Sequence, residues 1–332
     1  MPEVELKTLH LTTPFRIAHG VSSTRQVVRI HEAGAVGEAP FVPYYGEDVE
    51  AAVAWLRGVK KILDPVPVQA PRTGRLALDL LQLDLKCRSA GVPLSSLVPP
   101  TLPRREGRIP ACRSLSIPTD LASFARLVAE TANQFGVLKL KLGCGDLEFD
   151  EEIVAAARRT APTAKILADV NGGWSVKEAA VMIPRLGRHS LELIEQPIHH
   201  ADGLEAWREL RKALPPEVTP LFADESAQTH EDVAMLKDLV DGVNVKLLKC
   251  GSFAGAITMI EEARHHGMRV LLGCMIESSI GVTAAAHLAP WADWVDLDGH
   301  LYLADDDYSG VLFDANGCIV MPNQPGIGAS RR

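Results

Sequence analysis

At 332 residues the chain is long enough for one large α/β domain or two smaller ones, and 47% apolar with 23% charged residues is ordinary for a core-forming protein. A net charge of −8 without a Lys/Arg run argues against a nucleic-acid partner, and no apolar run nears the ~20 residues of a membrane span. The six cysteines are scattered with no CxxC pair, and Met1-Pro2-Glu3-Val4 opens without a charged and apolar leader, so free thiols in a reducing cytoplasm are expected.

Taken in order, Val4 to Leu11 and Gln26 to His31 alternate apolar with polar residues and predict two strands. Between them Pro14 to Ser23 reads as a loop rich in small and turn residues, and Gly37 to Gly46 as a second loop. Helices are predicted over Asp48 to Lys61 and Leu76 to Ala90, the latter stopped by Gly91-Val92-Pro93. A small antiparallel sheet followed by helices thus fills residues 1–108. Pro99-Pro100, Pro103 and Arg104-Arg105-Glu106 read as a linker.

From about residue 110 short β-like runs alternate with helical patterns, the signature of βα units on a parallel sheet. Strands are predicted at Arg113–Ile117, Val137–Leu142, Lys165–Asp169, Leu191–Glu195, Pro220–Asp224, Gly242–Lys246, Arg269–Gly273 and Trp294–Asp298. Seven helical stretches lie between them, and no GxGxxG follows any strand, so a closed barrel over 109–305 fits better than an open dinucleotide-binding sheet. Residues 306–332 lack the βα pattern and are expected to return to the first domain.

The chemistry concentrates at the strand ends, where a parallel barrel places its active site. In Leu138-Lys139-Leu140-Lys141-Leu142 the leucines share one face and the two lysines the other, because a strand alternates its side chains. Buried ammonium groups need anionic company. Three successive strands supply it, ending in Asp169, Glu195 and Asp224; a further strand ends in Lys246, and the last in Asp296-Leu297-Asp298. A single Asp after a strand is most simply a turn former or helix cap. Carboxylates at three consecutive strand ends are harder to explain so, and they would repel unless a cation sat among them. All-oxygen donors point to Mg²⁺. Lysines on either side of such an ion, with pKa values drawn down toward neutrality, would be bases on opposite faces of an α-carbon. An ion holding the substrate carboxylate would stabilise the enediolate formed when the α-proton leaves, a pairing familiar from lysine-and-Mg²⁺ enzymes of the enolase type.

These motifs, with the stretch Arg75-Leu76-Ala77-Leu78-Asp79-Leu80 through Ala90-Gly91-Val92-Pro93-Leu94, resemble the muconate-lactonising-enzyme subgroup of the enolase superfamily over nearly the whole chain. The resemblance implies an α/β fold: a (β/α)7β modified TIM barrel with an N-terminal α+β capping domain completed by the C-terminal segment. It implies Lys141 and Lys246 as the acid/base pair and Asp169, Glu195 and Asp224 as ligands of one Mg²⁺ per subunit. Lys139 and Asn171 would stand behind them, Glu225 would orient Lys246, and Lys249 would be an ordinary surface lysine.

Asp296-Leu297-Asp298 resembles the DxD motif of dipeptide epimerases, where paired carboxylates hold the free α-ammonium of a dipeptide. Ile276, in Gly273-Cys274-Met275-Ile276-Glu277-Ser278, would wall the substrate pocket. Members acting on Ala-Glu carry an Arg in the first cap loop; the matching position here is Gly20, with His19 and Arg25 nearby, so strict Ala-Glu specificity is not expected. Glu47 and Asp48 of the second cap loop are expected to be solvated residues of a helix start. The expected partner is therefore a small-molecule dipeptide, in a homo-oligomeric enzyme. Other enzymes of the subgroup (o-succinylbenzoate synthase, N-acylamino-acid racemase or a cycloisomerase) are the alternative, and a non-catalytic binding barrel is a remote one.

Overall fold

The computed structural model describes residues 2–332. Three antiparallel strands, β1 (Glu3–Ile17), β2 (Gly20–Glu32) and β3 (Ala35–Pro40), precede helices α1 (Val49–Arg57) and α2 (Arg72–Ala90). A barrel of eight parallel strands follows: β4 (Cys112–Leu115), β5 (Val137–Lys141), β6 (Lys165–Asp169), β7 (Leu193–Glu195), β8 (Leu221–Ala223), β9 (Gly242–Val245), β10 (Arg269–Gly273) and β11 (Trp294–Asp296). Helices α3 (Leu121–Ala132), α4 (Leu147–Thr160), α5 (Val176–Gly187), α6 (Gly203–Ala213), α7 (His230–Leu236), α9 (Phe253–His265) and α10 (Ser279–Ala286) connect them, with a four-residue α8 (Leu247–Cys250) after β9. Strand order runs in sequence from β4 to β11. The ring closes through side chains: Ser114 of β4 donates its hydroxyl to Asp296 (2.9 Å) and its backbone N–H to Asp298 (2.7 Å).

The two-residue period of a strand sorts these sequences into layers. Leu138, Leu140, Ile166, Ala168, Ile194, Val243, Val245 and Val270 face outward and pack under the helices in the main core. Facing inward at the base, Cys112, Val137, Leu167, Leu193, Phe222 and Leu271 form a separate apolar plug. Two residues further along the same strands stand Ser114, Lys139, Asp169, Glu195, Asp224 and Gly273. A charged layer therefore sits directly on the plug because each strand alternates. Gly242 has no side chain at plug level, where an added Cβ would lie 2.4 Å from the Phe222 ring.

The cap differs from expectation in three places. The stretch from Pro14 to Ser23 is a hairpin, with Ile17 paired to Gly20 after an irregularity between His10 and Phe15. Residues Gly37 to Pro40 lie in β3 rather than a loop. Gly37 is there for close approach, not for a turn: an added Cβ would lie 1.9 Å from the Ala77 carbonyl oxygen of α2. Glu47 is not a solvated helix start. It is half-buried and accepts the Thr73 N–H in the first turn of α2 at 3.1 Å, which lets that helix begin earlier than its apolar pattern suggests. Asp48 does cap α1, accepting the Ala51 N–H at 3.0 Å.

The last segment pairs its own strands β12 (Tyr308–Ser309) and β15 (Ser330–Arg331), and β13 (Leu312–Phe313) with β14 (Ile319–Val320). It is tied to the cap by Asp84, which is fully buried. One Asp84 oxygen accepts the Ile327 N–H (2.8 Å); the other accepts the Val36 N–H (3.1 Å) and the Arg88 guanidinium (2.9 Å). Removing that carboxylate leaves two buried N–H groups and a cation without their acceptor, at about 1–3 kcal/mol per orphaned group. Asp84→Ala should therefore lose about 3 kcal/mol or more in urea unfolding, whereas Glu209→Ala on the exposed face of α6 should stay within about 0.5 kcal/mol. Equal midpoints for the two variants would show that Asp84 does not join the segments.

Candidate active site

Each of the three strand-end carboxylates is fully buried, and each is held in the same divided way. One oxygen is tethered by a fixed donor: Asp169 Oδ1 by the Asn171 N–H (2.9 Å), Glu195 Oε1 by the Asn244 amide (2.7 Å), Asp224 Oδ1 by Lys249 Nζ (2.7 Å). The other oxygen meets an ammonium facing the barrel axis. Asp169 Oδ2 lies 2.6 Å from Lys141 and 3.1 Å from Lys139, Glu195 Oε2 lies 2.7 Å from Lys139, and Asp224 Oδ2 lies 2.7 Å from Lys246.

The turns that carry these groups are constrained. Asn171 (φ 48°) and Gln196 (φ 39°) occupy the left-handed region, which non-glycine residues enter at a cost. Gln196 stabilises the next strand end by accepting the backbone N–H groups of Asp224 (2.9 Å) and Ser226 (3.1 Å).

Lys141 and Lys246 stand four strands apart in an eight-strand ring, so they face each other across the barrel mouth. Both line one cavity under the cap, together with Asn171, Ile276, Asp296 and Asp298. Phe15, Ile17, Val42 and Tyr44 form its cap side, with Arg25. Asp296 is engaged at both oxygens, by Lys139 (2.6 Å) and by Ser114. Asp298 takes Arg113 (3.2 Å), the Ser114 N–H and the Tyr302 hydroxyl (2.7 Å) all on Oδ2, and its Oδ1 carries none of these bonds.

Charge is unevenly distributed over this cluster. Burial raises Glu195 to about 7, with Asp169 adding to the effect and Lys139 opposing it. Burial also works against an ionised Asp169, but Lys139 and Lys141 prevail and bring it to about 2. For Lys246 burial opposes the charge, yet Asp224, followed by Tyr45 and Tyr44, holds the ammonium well above the ordinary lysine range. The expectation of a lysine drawn toward neutrality is thus not met by the protein groups alone.

The donor set suits a hard cation: three buried carboxylates on consecutive strands, each with one oxygen tethered and one turned inward. Buried Asn171 Oδ1 and Glu225 Oε2 close by have no hydrogen-bond partner among the described residues. As placed, however, no three His, Cys, Asp or Glu side chains among the described residues are close enough to hold one ion. Lys139 instead bridges Asp169 and Glu195.

Two expectations need correction. Glu225 makes no ion pair with Lys246; its Oε1 accepts a long 3.4 Å bond from Asn171, and burial raises its carboxyl to about 8. Lys249 is no surface lysine, being 1% exposed. Asn244 was legible as an inward-facing residue from the alternation Val243-Asn244-Val245-Lys246. The burial of Lys249 had no comparable signal, since it depends on where the single turn of α8 folds back.

Residues 121–331 match the family described as enolase C-terminal domain-like. The chain is 33% identical to the hydrophobic dipeptide epimerase of Roseobacter litoralis, over 98% of each sequence. It is 32% identical to the L-Ala-D/L-Glu epimerase of Bacteroides thetaiotaomicron, over 98% of this chain and 86% of that one. Among solved structures, the dipeptide epimerase of Cytophaga hutchinsonii, complexed with Mg and D-Ala-L-Val, superposes with a TM-score of 0.88 at 26% identity, covering 100% of this chain and 95% of that one. The chain belongs to the enolase C-terminal domain-like family and so to the enolase superfamily, as a relative of the dipeptide epimerases.

Proposed function

We propose that this isomerase is a Mg²⁺-dependent dipeptide epimerase, removing the α-proton from one face of the C-terminal residue's α-carbon and delivering a different proton to the opposite face. The observation that carries the reading is the opposition of Lys141 and Lys246 across the barrel mouth, each on a strand-end carboxylate. An α-carbon between them would meet a base on one face and an acid on the other, as inversion requires.

Asp169, Glu195 and Asp224 would be the residues that hold the ion. When bound, Mg²⁺ supplies positive charge to the substrate carboxylate as the α-proton leaves. Asp224 would then be shared, and Lys246 would lose part of the interaction that holds its proton. Lys141, on the opposite wall, removes or delivers the second proton. Lys139 would keep Asp296 neutralised beneath the substrate. Asp298, whose Oδ1 is free of these bonds, is the carboxylate best placed for a substrate α-ammonium, and Ile276 walls the same cavity. The cap side sets Phe15, Ile17, Val42 and Tyr44 beside the Arg25 guanidinium, a mixed surface that does not restrict the substrate to Ala-Glu.

Epimerisation of a dipeptide set in D₂O with Mg²⁺, followed by NMR, tests the scheme. Lys141→Ala and Lys246→Ala should each lower epimerisation by about 10³-fold or more. Each should keep α-proton exchange for one stereoisomer only, the opposite one in the two variants. Exchange of both stereoisomers by either variant would rule out two opposed bases. In the same assay a chelator should abolish turnover and added Mg²⁺ should restore it; full activity in excess chelator would exclude the ion's role.

A further inference from the structure

The charged layer contains one lysine with no place in the reaction. Lys249 lies on the short α8, one helical turn beyond Lys246, and its ammonium is as buried as the carboxylates. It makes three short contacts: Asp224 Oδ1 (2.7 Å), the Asp224 carbonyl oxygen (2.6 Å) and the Asn244 carbonyl oxygen (2.6 Å). The first fixes one oxygen of the carboxylate. The second fixes the backbone that carries it. The third joins that backbone to β9, whose Asn244 side chain tethers Glu195. All three donors of an ammonium are used, so nothing on Lys249 is left for substrate.

We propose that Lys249 is the positioning residue of the ion site, holding Asp224 so that Oδ2 is turned toward the barrel axis. The proposal rests on the reading of Asp169, Glu195 and Asp224 as ligands of a divalent cation. Asn171 and Asn244 do the corresponding work for Asp169 and Glu195 with neutral donors. Asp224 alone is tethered by a full positive charge, which is the unusual feature. A cation 2.7 Å from a ligand carboxylate should weaken metal binding through repulsion. A cation at that place favours the ion site only if the gain in orientation exceeds that loss, and outer-shell partners of metal ligands commonly contribute 10–100-fold in affinity.

The two effects have opposite signs, which makes the proposal testable without turnover. Binding of Mn²⁺ to the full chain is measured by the loss of the free-ion electron paramagnetic resonance signal, for wild type, Lys249→Met and Lys249→Gln. Positioning predicts Mn²⁺ affinity lowered about tenfold or more in Lys249→Met, although a repelling charge has been removed, and a smaller loss in Lys249→Gln, which keeps an N–H donor. Unchanged or tighter binding in a folded Lys249→Met overturns the proposal, leaving Lys249 as a competing cation. If circular dichroism shows that neither variant folds, Lys249 is a clamp between β8 and β9, and the proposal is overturned too. Absence of Mn²⁺ binding by wild type would instead refute the ion site itself, and the positioning role with it.

Discussion

A stack of buried ammonium and carboxylate groups on an apolar plug is the feature from which the rest of this structure follows. Strand alternation delivers it: a residue that faces inward at plug level fixes the inward position two residues later. Lys139 follows Val137, Asp169 follows Leu167, Glu195 follows Leu193 and Asp224 follows Phe222. Burying such charges is costly, and the cost is tolerable only when every group has a partner at close range. Lys139 shows how closely that condition is met, with Asp169, Glu195 and Asp296 all within 3.1 Å of one ammonium.

The same packing makes the site responsive. Carboxylates that share ammonium groups are poised to exchange one cation for another, because their repulsion is relieved by whichever positive charge is nearest. Glu195 is raised chiefly by burial, with Asp169 adding to the effect and Lys139 opposing it. The divided tethering fits this picture. One oxygen of each carboxylate is locked to the scaffold, while the other is free to change partner without moving the strand.

Much of this was legible in the sequence because it depends on local periodicity. The eight strands, the outward leucines beside Lys139 and Lys141, and the strand-end positions of Asp169, Glu195, Asp224 and Lys246 all follow from alternation. The features that were misread depend on tertiary approach. Gly37 and Pro40 carry the composition of a turn, yet they lie in β3, where Gly37 admits the backbone of α2. Glu47 looks like a solvated helix start, but a second helix end is within reach of it. Lys249 has the sequence context of an exposed helical lysine and is buried by an acceptor set drawn from two strands. The family resemblance implies a role for Glu225 beside Lys246; its side chain turns to Asn171 instead.

On the reading proposed above, the three carboxylates cage one divalent ion at the foot of the cavity. Diffraction from crystals grown with Mn²⁺, recorded for anomalous signal, tests it most directly. A single strong peak is expected within coordinating reach of Asp169, Glu195 and Asp224, with Lys139 displaced from between the first two. A peak elsewhere, or none there with the lysine pairs intact, would contradict it.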